Sequence, residues 1–115
     1  MNEPQSGGKV WVLQQVLRRD ESGGWAPKFD LSPLKQYGEV VFIFGPGQID
    51  MMPEAVEDAI EARLDEERYD PDKDYYLPTG NPVLMGMAYH QMKLRGGCRQ
   101  LAWDRKYGTY TVFGA

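Results

Sequence analysis

Apolar positions along this chain fall into blocks that switch between strand-like and helix-like spacing. Val10 to Leu17 is rich in β-formers and runs into Arg18-Arg19-Asp20. Glu21-Ser-Gly-Gly24 is a turn signal, and Trp25 to Phe29 returns, so residues 10–30 predict a hairpin. Pro27 removes a ladder donor and makes the return strand short or places it at an edge. Ser32-Pro33-Leu-Lys-Gln-Tyr-Gly38 predicts one short helix, with Ser at the N-cap, Pro at the first position and Gly past the end. Glu39 to Phe44 is the strongest strand, continuously apolar after its first residue. Such a run predicts a central strand covered on both faces. Gly45-Pro46-Gly47 breaks it.

The period then lengthens. Met52, Val56, Ile60 and Leu64 recur every four residues with Ala55 and Ala59 beside them, which predicts a helix over 50–68 with one apolar stripe. Tyr75 to Thr79 predicts a short strand. Asn81 then caps a second helix with Pro82 at its first position. Val83, Leu84, Met85, Met87, Ala88, Tyr89 and Met92 cover more than one face, so this helix is expected to be sandwiched, with Gly86 admitting a close approach to the sheet. Gly96-Gly97 stop it, and Arg99–Trp103 with Thr109–Phe113 predict a hairpin.

Strand, helix, strand, helix, strand over 39–103 predicts right-handed parallel crossovers. The fold class is therefore a compact Rossmann-like α/β domain. Its mixed sheet has parallel central strands, two main helices, and N-terminal and C-terminal β-hairpins. It occupies residues 9–115 as a single domain, and the polar, glycine-rich residues 1–8 are expected to be a flexible tail.

Composition adds limits rather than a chemistry. No apolar run reaches the ~18 residues of a membrane span, and the N-terminus lacks the pattern of a signal peptide. Cys98 is the single cysteine, so no disulfide forms within the chain, and a reducing cytoplasm is the expected compartment. The net charge of −4 is uneven. Residues 50–74 hold eleven acids and three bases, whereas residues 75–115 hold one acid, Asp104, and five bases. The acidic middle disfavours direct nucleic-acid binding over that surface, while the basic last third could meet a phosphate.

In an open parallel sheet, ligands bind beyond the carboxyl ends of the strands. Gly45 and Gly47 lie in one strand-to-helix loop, and Thr79, Gly80 and Asn81 in the other. The second loop opens a helix whose free N–H groups suit an anion. Arg18 or Arg19 could clamp a phosphate or carboxylate. The plainer readings are a turn with a helix cap for Thr79-Gly80-Asn81, and an ion pair at a hairpin end for the arginines.

Several familiar sites are disfavoured. Gly45-x-Gly47 starts a dinucleotide fingerprint, but the third glycine position is Asp50 and no P-loop lysine follows. Asp70-x-Asp72-x-Asp74 starts like a calcium loop, but Tyr75 and Asn81 stand where Gly and Glu are required, so a solvated connection is expected. His90 is the only histidine, and neither it nor Cys98 has a catalytic or metal-binding partner placed by spacing. The acidic residues of the first helix read as a solvated face rather than a phosphate mimic. No metal and no cofactor are expected.

Val12-Leu-Gln-Gln, Arg18-Arg19-Asp20, Pro27-Lys-Phe-Asp30-Leu-Ser-Pro33, Tyr37-Gly38-Glu39, Leu77-Pro-Thr-Gly80-Asn81-Pro82 and Leu101-Ala-Trp103-Asp104-Arg105 occur in this order. The set resembles a family of small proteins of tailed-phage genomes and related mobile elements, over residues 10–113. Members of that family often carry Gly-Asp-Pro where this chain has Gly80-Asn81-Pro82. A catalytic aspartate would leave this chain inactive, whereas an N-cap is served equally by Asn. The family has no assigned activity, so the resemblance implies a viral context and, with it, the host cytoplasm.

Three function classes follow. The first is a non-enzymatic binding or interaction protein whose partner is another protein or itself. The second is a nucleotide- or phosphate-ligand-binding protein, either a simple binder or an enzyme, with Gly45, Gly47, Thr79, Gly80 and Asn81 lining the crevice and Arg18 or Arg19 neutralising charge. The third is a homo-oligomeric assembly component that uses an exposed sheet edge. The absence of a convergent catalytic set favours the first.

Overall fold

The computed structural model describes residues 8–28, 30–46 and 49–114; residues 1–7 of the expected 1–8 tail, and Gly47, lie outside them, while Gly8 is buried. The elements follow as β1 (Lys9–Gln14), β2 (Leu17–Arg19), β3 (Trp25–Pro27), β4 (Glu39–Phe44), α1 (Pro53–Glu66), β5 (Tyr75–Leu77), α2 (Pro82–Leu94), β6 (Gln100–Asp104) and β7 (Thr109–Phe113). A 3-10 helix, Ser32–Gln36, joins β3 to β4. Five strands form one sheet in the order β4-β1-β5-β6-β7. The first four are mutually parallel and β7 returns antiparallel to β6. β2 and β3 form a separate antiparallel ribbon. The expected mixed sheet, parallel at its centre and carrying two helices, is therefore the architecture, with one hairpin near each end of the chain.

The strand order corrects two details. β1 does not fold back on its successor; it lies between β4 and β5, and only residues 17–27 form the N-terminal hairpin. The reason lies in burial: Val10, Trp11, Val12 and Leu13 are all buried, and a strand apolar on both faces belongs inside the sheet. β4 is covered on both faces, as its sequence predicts, yet it sits at the sheet's edge rather than its centre. That edge is partly covered by α1, whose Arg63 Nε donates to the Phe42 carbonyl at 2.9 Å while its NH1 bonds Glu67 at 3.0 Å.

Strand alternation builds two cores. Trp11, Leu13, Val41, Ile43 and Tyr76 face the helices, where Val56, Ile60, Leu64, Leu84, Ala88 and Met92 cover them. Val10, Val12 and Leu77 face the other way and pack with Leu34 of the 3-10 helix and Leu101 of β6. The crossovers β4-α1-β5 and β5-α2-β6 move in the same direction across the sheet, so right-handedness places both helices on one face. Among the described residues, the opposite face is roofed by the segment between β1 and β4, through Leu31, Leu34 and Tyr37.

Local expectations divide. The α1 stripe is real at Val56, Ile60 and Leu64, but Ala59 is exposed and Met52, the N-cap, is 60% exposed. Ser32 caps nothing: its N–H and hydroxyl both bond Asp30 Oδ1, at 2.9 and 2.6 Å. Gly86 does not face the sheet; it is exposed, and a Cβ there would meet no atom within 4 Å. Asp74 overturns the reading of its aspartate run as a solvated connection. It is fully buried and accepts from the Trp11 indole (2.9 Å), the Lys9 N–H (2.8 Å) and the Asp70 N–H (2.8 Å). Among the described residues no group of three or more His, Cys, Asp or Glu is placed to hold a metal ion.

Candidate strand-end binding site

The chain from Gln15 to Gln36 leaves the carboxyl end of β1 and folds back over the face of the sheet that the helices leave open. Two clefts result, one on each side of Lys28, Asp30 and Thr79. The first, of about 690 Å³, lies over the ends of β1 and β4, with Val12, Val40 and Phe42 in its floor. Its rim carries Arg18, Lys28 and Lys35 against one carboxylate, Asp30. The second, of about 730 Å³, lies over β5, β6 and β7. Leu77, Leu101, Pro33, Pro78, Trp103 and Tyr110 make it largely apolar. Both volumes fall in the range of small-molecule sites, and both lie at the sheet edge where ligands of parallel sheets bind.

Of the residues singled out in the sequence, Arg18 and Thr79 meet in the first cleft, while Thr79 and Gly80 line the second. The Thr79 hydroxyl is committed to structure. It donates to the Gln14 carbonyl at 2.8 Å and accepts from the Gln14 N–H at 3.2 Å. Gly80 has φ +88°, and a Cβ there would run into the Gln14 carboxamide. Asn81 is the N-cap of α2: its side chain accepts from the Val83 N–H at 2.8 Å, and its own N–H donates to Gln14 Oε1 at 3.3 Å. This loop is a clasp that fastens β5 and α2 to the end of β1.

Among the described residues, Gly45, Arg19 and Asn81 line neither cleft. Gly45 is exposed and lines neither. Gly47 lies outside the described residues. Arg19 points along its own ribbon, with its guanidinium 5.1 Å from the centroid of the Trp25 ring. The basic last third does not supply the cleft either. Arg99 bonds the Asp72 and Asp74 carbonyls and lies 4.2 Å from the Tyr75 ring centroid, and Arg95 bonds Asp65 and Gln91.

Sequence reasoning missed Lys28, Lys35 and Asp30. The signal for Lys28 and Asp30 was their place in Pro27-Lys-Phe-Asp30, where a polar pair flanks an aromatic in a supposed strand. Hydrogen bonds from the Ser32 hydroxyl and N–H hold the Asp30 carboxyl below the usual range, so it is ionised at neutral pH. Tyr110 is pushed up, first by burial and then by the nearby Asp30 and Tyr37. It packs edge-on against Trp103 (5.0 Å between centroids) and Tyr37 (6.2 Å).

The possible nucleophiles lie elsewhere. Cys98 is buried in the helix-side core, and burial pushes its thiol up to about 11. His90 lies with Glu57 in the groove between α1 and α2, on the far side of the sheet from both clefts. Neither side chain lines either cleft.

No curated protein and no solved structure matches this chain. A protein-family comparison does match, over residues 8–114, which takes in every element of the fold and both clefts. The chain belongs to the Phage Pam3 gp32-like protein family.

Proposed function

We propose that this phage protein is a non-enzymatic binding protein that takes a small phosphate-bearing ligand in the strand-end cleft. The observation that carries the reading is the charge of the first cleft: Arg18, Lys28 and Lys35 face a single carboxylate whose Oδ1 is already engaged by Ser32. The acidic surface of α1 supports it from the other side. Glu54, Glu57, Asp58, Asp65 and Glu66 are exposed on the helix face, opposite the clefts, so the field of the molecule repels an anion there and favours it at the cleft. Glutamine amides at Gln14 and Gln15 add neutral donors to the same rim.

Titration calorimetry with inorganic pyrophosphate tests this reading. Binding is expected for the native chain. Arg18→Ala and Lys35→Ala should each lose roughly ten- to a hundredfold in affinity, the worth of a charged hydrogen bond of about 1.5–3 kcal/mol. Unchanged affinity in both variants, or no binding to the native chain, rejects it.

A second reading, self-association through a sheet edge, is supported by β7. Thr109–Phe113 is an edge strand without a charge or a proline, and Val112 and Phe113 are 43% and 55% exposed. Light scattering at micromolar concentration tests it. A dimer that Val112→Lys converts to monomer supports the edge, and a native monomer removes it.

A further inference from the structure

We infer that the ligand of the strand-end site is a nucleotide: its phosphates lie in the basic cleft and its base lies in the apolar cleft against Trp103. This rests on the anion-binding reading above and adds the part of the ligand that carries no charge. The two clefts adjoin, because Lys28, Asp30 and Thr79 line both. The first is centred over β4 and β1 and the second over β6, with β5 and β7 on either side. Neighbouring strands lie about 4.8 Å apart, so the centres are separated by two to three strand spacings, roughly 10–14 Å. A nucleoside diphosphate reaches across such a span, and a free phosphate does not.

The second cleft has the character of a base site. Trp103 is 49% exposed and is steadied by its edge contact with Tyr110, which Tyr37 holds in turn. An indole left half open in a folded domain, at the mouth of an apolar cleft, offers surface on which any base can stack. Leu77, Leu101 and Pro78 supply the remaining apolar wall.

The seam between the clefts fits the sugar. The Thr79 hydroxyl is tied to Gln14, so the seam presents the Asp30 carboxylate, with Lys28 beside it. Both Ser32 hydrogen bonds end on Asp30 Oδ1, and a sugar hydroxyl would donate to Oδ2. A carboxylate at that point would repel a phosphate but accept from a ribose, which orders the ligand as phosphate, sugar, base along β4 to β6.

The test compares adenosine diphosphate, ribose 5-phosphate and inorganic pyrophosphate on the full chain, by calorimetry and by tryptophan fluorescence. Adenosine diphosphate should bind at least tenfold more tightly than the other two and quench the fluorescence. Trp103→Leu should reduce its affinity to that of ribose 5-phosphate and leave pyrophosphate binding unchanged, whereas Trp103→Phe should restore most of the loss. Pyrophosphate binding by Trp103→Leu also reports that the variant is folded. Should adenosine diphosphate bind no better than pyrophosphate, or lose nothing in Trp103→Leu, the nucleotide assignment is overturned while the anion site stands. Should pyrophosphate fail to bind and adenosine diphosphate bind with no loss in Arg18→Ala, the anion site falls, and this assignment of the phosphates falls with it. If none of the three binds, both fall.

Discussion

Asp74 is the side chain whose role depends most on its surroundings. It satisfies three donors from two segments, the Trp11 indole and Lys9 N–H of β1 and the Asp70 N–H of the loop before β5, and its Oδ2 lies 3.6 Å from Lys9 Nζ. Asn in its place presents one acceptor and two unwanted donors to the same groups. Asp74→Asn should lower stability by roughly 1–3 kcal/mol in urea denaturation, the cost of buried donors left unsatisfied. A change of only a few tenths would mean that Asp74 contributes nothing specific. Two glycines make an opposed pair at the same scale. Gly80→Ala meets both a left-handed backbone and Gln14, and should cost roughly 1–3 kcal/mol. Gly86→Ala enters open space on a helix and should gain about 0.5–1 kcal/mol. Opposite shifts in denaturation midpoint check the pair.

Cys98 provides a pH signature. Its folded thiol is held up near 11, against an ordinary value of 9.0. Between those values the unfolded chain has released the proton and the folded chain keeps it. The unfolded state then binds fewer protons, and stability falls as pH rises from about 9 to about 11. Below 9 the contribution is fully present. Cys98→Ala should fall less steeply over that window than the native chain, with the slopes read from denaturation midpoints. Identical slopes would show that the thiol titrates alike in both states.

At the scale of elements, the N-terminus of α2 separates a cap from a catalytic position. Asn81 accepts from the Val83 N–H, as an aspartate would. Asn81→Asp should therefore leave stability within a few tenths of a kcal/mol, and Asn81→Ala should cost about 1 kcal/mol in thermal or urea denaturation. Equal losses for both would contradict the cap. The elements themselves were legible where a single pattern ruled. The stripe of α1, the cap of α2 and the β6–β7 hairpin follow from spacing, Asn-Pro and turn residues. Gly86 was misread because helical periodicity is blurred when almost every position of α2 is apolar. β1 was misread because a two-sided strand and the first arm of a hairpin look alike in sequence; what distinguishes them is the partner strand, which lies about 30 residues away in β4 and about 65 away in β5.

For the whole molecule, the chief consequence of the fold is polarity. Right-handed crossovers put the acidic α1 on one face, and the segment from Gln15 to Gln36 puts Arg18, Lys28 and Lys35 on the other. If anions are held at that cleft by open, solvent-exposed cations, their affinity should fall several-fold as salt rises from 50 to 500 mM, because screening shortens the reach of exposed charges. Pyrophosphate titrations at the two salt concentrations check this, and salt-independent binding would place the ligand away from the rim. The match to a phage protein family spans both clefts.

Local sequence set the α/β class, the parallel centre of the sheet and the helix cap at Asn81, and it singled out Arg18 and Thr79, which line a strand-end cleft. These depend on local periodicity, on turn and cap chemistry, and on the handedness of crossovers, all of which act over a few residues or follow from chirality. Tertiary structure alone decided that β1 is central and β4 an edge, that Asp74 is buried, that Arg95 and Arg99 are consumed by internal partners, and that Lys28, Asp30 and Lys35 stand at the cleft with Trp103 beyond them. Each of these depends on which distant segments share a face, and strand order and charge pairing across tens of residues leave no periodic mark in the chain.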